Sequence, residues 1–247
     1  MSVARTSRGL VSALVIAGAA LWATPAKADM GAAPLNHFIQ FEELEYGFNN
    51  DTNPLHWDNT SWFGGDWNRI WFKTEGEMSS ADPDLEGEAQ LLYSRLITAF
   101  WEFQIGLRGD LVAGDGQATD GRGHLVVGLE GLAPFWFEVE PAIFVSHKGD
   151  VSARLRFTYD LFITQRLIAH PSLEMNVAIQ SVPEFGVGSG FNDIELGLRL
   201  SYEIAREFAP YAGISWNRAF AETARLRQAA GRPESDLQGV AGLRFWF

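Results

Sequence analysis

The side chains of this sequence best suited to hold a soft metal ion are five imidazoles, His37, His56, His124, His147 and His170, and the thioethers Met30, Met78 and Met175. Imidazole and thioether donors suit copper, copper(I) in particular. No cysteine is present, which removes thiolate metal sites, disulfides and cysteine nucleophiles. No nucleophile elbow or phosphate-cradling loop occurs. Gly186-Val187-Gly188-Ser189-Gly190 lacks the spacing of a dinucleotide loop and reads as a flexible connection. Serines and histidines are scattered, and a Ser–His pair is recognised by geometry rather than by chain order. The net charge of −12 argues against a nucleic-acid partner, because phosphate binding needs a basic surface, and it suits a cationic one.

The elements that must position these groups are strands. Between Val151 and Leu161, Val151, Ala153, Leu155, Phe157, Tyr159 and Leu161 alternate with Ser152, Arg154, Arg156, Thr158 and Asp160. A strand sends successive side chains to opposite faces, so this is a ribbon with one apolar and one charged side. The same period sets Phe103, Ile105 and Leu107 against Glu102, Gln104 and Arg108, and sets Ile194, Leu196, Leu198 and Leu200 against Asp193, Glu195 and Arg199. It also places Phe135, Phe137 and Val139 opposite Glu138 and Glu140. A packed core cannot solvate full charges, whereas the lumen of a membrane barrel can.

Twelve such segments follow one another, near 37–47, 54–64, 66–76, 87–98, 101–112, 122–132, 135–146, 150–161, 165–178, 190–203, 208–219 and 236–247. The alternation is blurred in the first two, which leaves ten strands plus an N-terminal plug as the structural alternative. Short turns alternate with longer connections, such as Ala113 to Gly121 and Ala221 to Ser235. That is the plan of a bacterial outer-membrane barrel, and an even strand count puts both termini on the periplasmic side. The expected fold is therefore all-β: a transmembrane antiparallel barrel of about twelve strands over 37–247, closed by a last strand ending Gly242-Leu243-Arg244-Phe245-Trp246-Phe247. Outside the first thirty residues there is no apolar run long enough for a spanning helix.

Faces then sort the candidate ligands. His56 shares a face with Asp58 and Thr60, His124 with Glu130, and His170 with Arg166, Glu174 and Asn176, so these three are the expected lumenal metal ligands. Met175 shares a face with Leu173 and Val177 and should meet lipid. Met78 and His147 fall in expected outer loops, and Met30 and His37 lie near the mature N-terminus. Glu102, Arg108, Glu138, Glu140, Arg154, Arg156, Glu174, Glu195 and Arg199 should also point inward. Interlocked, they could plug a narrow barrel; spaced apart, they could set the selectivity of a pore.

The first 28 residues read as a secretory signal. Arg5 and Arg8 precede an apolar stretch from Gly9 to Leu21, and Ala26-Lys27-Ala28 has the small-x-small form of a cleavage site. Cleavage removes Arg5, Arg8 and Lys27 and no acid, so the mature chain is more acidic still. A short segment, 29–36, then leads to the first strand.

Several segments, in the same order along 38–247, resemble the copper resistance protein B family. They include Phe41-Glu42-Glu43-Leu44-Glu45-Tyr46, Gly64-Gly65-Asp66-Trp67-Asn68-Arg69-Ile70-Trp71-Phe72-Lys73-Thr74-Glu75-Gly76-Glu77, and Gly131-Leu132-Ala133-Pro134-Phe135-Trp136-Phe137-Glu138. Further on come Asp193-Ile194-Glu195-Leu196-Gly197-Leu198-Arg199, Arg206-Glu207-Phe208-Ala209-Pro210-Tyr211 and the aromatic ending. The resemblance implies an outer-membrane protein that binds copper (Cu+ or Cu2+) or passes it across the membrane, with membrane lipids and periplasmic copper-resistance proteins as its partners. Many members carry a Met- and His-rich segment before the barrel. Here 29–36 holds a single methionine, Met30, which leaves the lumen as the expected copper site. Two other readings stand beside this one: a small general-diffusion pore or structural barrel, and a barrel hydrolase that would need a serine and a histidine to meet at the rim. The expectation is a non-enzymatic barrel. Exported protein should begin at Asp29, which N-terminal sequencing of purified material checks; a mature chain still beginning at Met1 would contradict the signal reading.

Overall fold

Alternating segments of this length cannot satisfy their backbone groups alone, so they pair edge to edge until no edge is left. The computed structural model describes residues 34–48, 53–79, 85–113 and 120–247. The expected signal peptide, Met30 and most of the 29–36 segment lie outside the described residues. The long strands are β1 (Asn36–Phe48), β2 (Leu55–Gly64), β3 (Asn68–Met78), β4 (Leu85–Thr98), β5 (Trp101–Ala113), β6 (Asp120–Ala133), β7 (Phe137–Ser146) and β8 (Val151–Thr158). After the two-residue β9 (Leu161–Phe162) come β10 (Leu167–Ala178), β11 (Gly190–Tyr202), β12 (Phe208–Ala219) and β13 (Ser235–Trp246). Every neighbour pair is antiparallel, β13 pairs with β1, and β10 pairs with both β8 and β11. The ring is thus a closed barrel of twelve long strands, with β9 a short addition against the start of β10. The blurred first two segments are full strands, which removes the ten-strand plug alternative.

The C-terminal aromatics explain the closure. Phe245 stacks on Phe41 with ring centres 4.8 Å apart, Trp246 packs on Phe38 at 5.8 Å, and the Phe247 amide donates to the Ile39 carbonyl at 2.9 Å. Each aromatic therefore ties the last strand to the first, and the start of β1 and the C-terminal Phe247 sit at one rim. The outer face is apolar, with Leu91, Leu107, Leu125, Ile143, Leu198 and Ile214 among its exposed side chains. An apolar outer face around a charged interior is the pattern of a transmembrane β-barrel. Among the described residues no helix is long and apolar enough to cross a membrane.

Three details differ from the sequence reading. The seventh strand starts at Phe137, not Phe135. Phe135 and Trp136 sit in a short helical turn at φ +68°, and both rings are exposed at the rim that carries the start of β1 and the C-terminus. The expected loop 221–235 contains a helix, α1 (Ala221–Ala229). Ala, Arg, Leu and Gln favour helix, but the segment has no apolar stripe to advertise it. Thr223 and Glu222 hold it down. The Thr223 hydroxyl accepts from the Gly188 amide and the Asn192 side chain at 3.0 Å, and Glu222 accepts from the Ser189 amide and hydroxyl. Met78, expected in an outer loop, is instead the last residue of β3.

Close approach fixes one glycine. The Trp57 ring lies against Gly76, its partner across the β2–β3 ladder, and reaches Gly87 on β4. A Cβ on Gly76 would meet that ring and the Glu86 carbonyl at 2.8 Å. Gly76→Val should therefore lower unfolding stability by about 1–3 kcal/mol, the usual cost of overpacking, read from the urea midpoint of the refolded protein. An unchanged midpoint would mean that Trp57 swings aside freely.

Candidate functional site

The inward face is built of rows, because residues opposite one another in successive strands lie side by side across the barrel wall. Asp58 pairs with Glu75, Glu75 with Glu88, and Glu88 with Asp110, so four carboxylates from β2, β3, β4 and β5 form one line. Like charges directly opposite repel, and such a row holds only if cations meet it. On the other wall Glu140, Arg156, Glu174 and Glu195 form a second row.

The cations come from β8. In the ring, β8 and β2 are diametrically opposed. Arg156 crosses the lumen to Asp58 at 3.0 Å and Glu75 at 2.7 Å, while its Nε donates to Glu174 at 3.0 Å. Arg154 forks onto both oxygens of Glu88 at 3.0 and 2.8 Å. Arg108, next in the wall, donates to Glu88 at 2.7 Å and Asp110 at 2.5 Å. A planar guanidinium can fork onto both oxygens of one carboxylate, as Arg154 does on Glu88, which a lysine ammonium cannot do. Lys73 makes the corresponding point contact elsewhere, donating to Glu130 at 2.8 Å and Glu140 at 2.6 Å. Arg199 on β11 reaches β1, where it binds Glu43 at 2.6 Å and Glu45 at 2.8 and 2.7 Å.

An apolar cluster fills part of the same interior. Trp71, Leu92, Val126 and Phe144 are buried together on inward positions of β3, β4, β6 and β7. The Phe144 ring lies under Arg108 at 4.6 Å and Arg154 at 5.6 Å, which lets it share space with the charges.

Among the open spaces are two cavities that share Asp58, Glu75 and Arg156 as a common wall. The first lies against β2 to β8 and adds Lys73, Glu88, Glu140 and Arg154. The second lies against β1, β10 and β11 and adds Glu42, Glu43, His56, Glu174, Glu195 and Arg199. The first is close to charge balance. The second is acidic, and among the described residues Glu42 and Glu195 have no cationic side chain within salt-bridge distance. Glu195 accepts only from the Ser215 hydroxyl, at 3.0 Å. A register shift in β1 after Phe41 turns both Glu42 and Glu43 into this cavity. That bulge is also why the alternation of the first strand is blurred in the sequence.

The three expected metal ligands are not brought together. His56 lines the acidic cavity, with Nε2 3.4 Å from Glu43. His124 is buried elsewhere in the lumen, 3.6 Å from Asp110 and edge-on to Phe144. His170 lies near the termini rim, with Nδ1 2.6 Å from Asp160 and Nε2 2.7 Å from the Ser201 hydroxyl. Among the described residues no three His, Asp or Glu side chains converge as a ready metal cage. The nine charges expected inside all face inward. Glu102, for instance, pairs with Arg69 and accepts from Ser94 at 2.6 Å. Asp58 faces inward beside His56, as its alternation implies, whereas Glu42, Glu43, Glu45, Lys73, Glu75 and Glu88 are lumenal groups that the sequence reading did not single out, although Lys73 and Glu75 alternate with apolar Phe72 and Ile70 as plainly as the rest.

Asp160, His170 and Ser201 have the order of a hydrolase triad, so a serine and a histidine do meet near the rim. The Ser201 residue is 1% exposed and borders neither cavity, and the Arg244 guanidinium stands 2.9 Å from His170 Nδ1. A nucleophile needs room for the atom it attacks. This trio ties β10 to β11 and to the turn before β9.

Comparison with known proteins identifies the family. The family profile described as copper resistance protein B precursor (CopB) matches residues 35–247. Copper resistance protein B of Escherichia coli is 39% identical over 213 residues, 86% of this chain and 70% of that protein. The copper resistance protein B homolog of Pseudomonas syringae pv. tomato (strain ATCC BAA-871 / DC3000) is 35% identical over the same shares. Among solved structures, the KdgM porin is similar with a TM-score of 0.47 at 10% identity, over 85% of this chain and 99% of that one. A loop-deletion mutant of OmpT, an outer membrane protein of Vibrio cholerae, gives 0.37 at 9% identity, over 87% and 99%. On the family profile and the two curated relatives, the chain belongs to the copper resistance protein B family.

Proposed function

We propose that this barrel sits in the outer membrane and takes up Cu2+ as a passing cargo in its acidic cavity, as part of copper homeostasis alongside periplasmic copper-resistance proteins. The observation that carries the reading is the unbalanced charge of that cavity: six carboxylates, Glu42, Glu43, Asp58, Glu75, Glu174 and Glu195, face two arginines and one imidazole. Membership of the copper resistance protein B family favours copper as the cation. The donors there are carboxylates and the His56 ring, with no thioether, a set that suits Cu2+ better than Cu+. Met175, which pairs with Leu155 and Ile194, lies on the apolar side.

The mechanism is passive. Excess carboxylate charge in a narrow space draws a cation in and raises its local concentration. Glu42 and Glu195 offer free oxygens, and His56 can add a nitrogen once its contact with Glu43 gives way. The absence of a ready cage suits a cargo that must leave again, since a site that holds too tightly cannot conduct. His124 and His170 remain candidate copper ligands by residue type; His170 is held by Asp160 and Ser201, His124 is buried against Phe144, and neither lines the acidic cavity.

A specific observation favours a second reading. The β8 arginines and their partners fill much of the lumen, as a structural barrel with no cargo would require. Equilibrium dialysis of the refolded mature barrel against Cu2+, with Zn2+ and Ni2+ controls, separates the two. Selective copper retention is expected, reduced severalfold in Glu42→Gln/Glu195→Gln and in His56→Ala, and little changed in His124→Ala and His170→Ala. No retention, or equal retention of all three metals, would favour the structural barrel.

A further inference from the structure

We propose that Arg156 is a strut that sets the size limit of the lumen, dividing what would be one cation-selective passage into two narrow ones. The inference concerns the passage of any solute and stands apart from copper. Arg156 springs from β8 and meets Asp58 of β2 and Glu75 of β3, which reach in from the opposite wall, so that together these side chains bridge the lumen. It is the one cation among the three residues that both cavities share, and the other two, Asp58 and Glu75, are the carboxylates that receive it. A third carboxylate, Glu174, fixes the root of the guanidinium from the adjacent strand. Three acceptors from three strands leave the group no freedom to swing aside.

Among the described residues, every other bridge across the lumen lines one of these two cavities at most. Arg154 and Lys73 border the first, and Arg199 borders the second. Removing any of those would enlarge a cavity without joining the two. Shortening Arg156 takes away the partition itself and uncovers Asp58, Glu75 and Glu174, whose charges would then face a continuous water-filled space. Such a lumen should conduct cations in preference to anions, because rings of carboxylate set that selectivity.

The test is ion conductance of the refolded full mature protein in planar bilayers of neutral lipid, in potassium chloride without copper, with a salt gradient to read selectivity and neutral polymers to read width. Arg156→Ala should conduct severalfold more than the parent, prefer potassium to chloride and admit polymers that the parent excludes. Arg156→Lys keeps a charge but lacks the fork, and its conductance should fall between the two. Circular dichroism and the heat-dependent gel shift of barrels establish that each variant is folded. If Arg156→Ala does not fold, the parent-to-Lys comparison decides. Equal conductance and equal polymer exclusion in the parent and any folded Arg156 variant would overturn the strut, as would anion selectivity in Arg156→Ala. Because the readout is potassium current, failure of the copper reading leaves this result unaffected.

Discussion

Four carboxylates laid side by side on β2 to β5 are the constraint around which this interior is organised. Asp58, Glu75, Glu88 and Asp110 occupy directly opposed positions in consecutive strands, where like charges repel. The barrel meets that repulsion with guanidiniums from β5 and from the opposite wall. Arg156 and Arg154 can reach because β8 stands across the ring, and each guanidinium offers enough N–H groups to engage more than one acid. Buried ion pairs contribute little net stability against an apolar packing of the same volume, but removing one partner strands the other at a cost of about 3–5 kcal/mol. The network therefore specifies the arrangement of the interior more than it strengthens the barrel. A slip of one residue in β8 would send both arginines to the lipid face and leave the acids unmet.

The asymmetry of the two cavities follows from where the arginines are spent. The wall from β3 to β7 receives Lys73, Arg108 and Arg154, and an apolar cluster around Phe144 fills much of what remains. The wall formed by β1, β10 and β11 has more acids than cations, since Arg199 is fully committed to Glu43 and Glu45. The β-bulge in β1 adds one further carboxylate there by turning two successive glutamates inward. Structural economy on one side and surplus charge on the other is the arrangement a cation-handling barrel needs. It also explains how a densely braced interior can still hold an acidic space.

The fold was legible because a strand's period of two survives nearly everywhere: the twelve strands, the aromatic closure and the inward charges of β5, β8 and β11 follow from which residues alternate. It was less legible where local geometry breaks the period. The Phe41–Glu43 bulge hid the register of β1, the left-handed turn at Phe135 and Trp136 delayed β7, and α1 carries helix-forming residues without an amphipathic stripe. The site was legible only in part. Residue type marks His56, His124 and His170 as possible ligands, and face assignment correctly turns them inward, but shared facing is not shared position in a barrel of twelve strands. Which charges meet depends on stagger and on reach across the lumen, and a single strand's pattern contains neither.

The central claim is that the surplus carboxylates beside His56 are where a copper ion resides. Anomalous diffraction at the copper edge, from crystals of the mature barrel soaked in Cu2+, locates the ion directly. The account predicts a peak within the cavity bounded by Glu42, Glu43, His56, Glu174 and Glu195. A lumen without copper, or copper found only at His124, at His170 or on the outer loops, would contradict it.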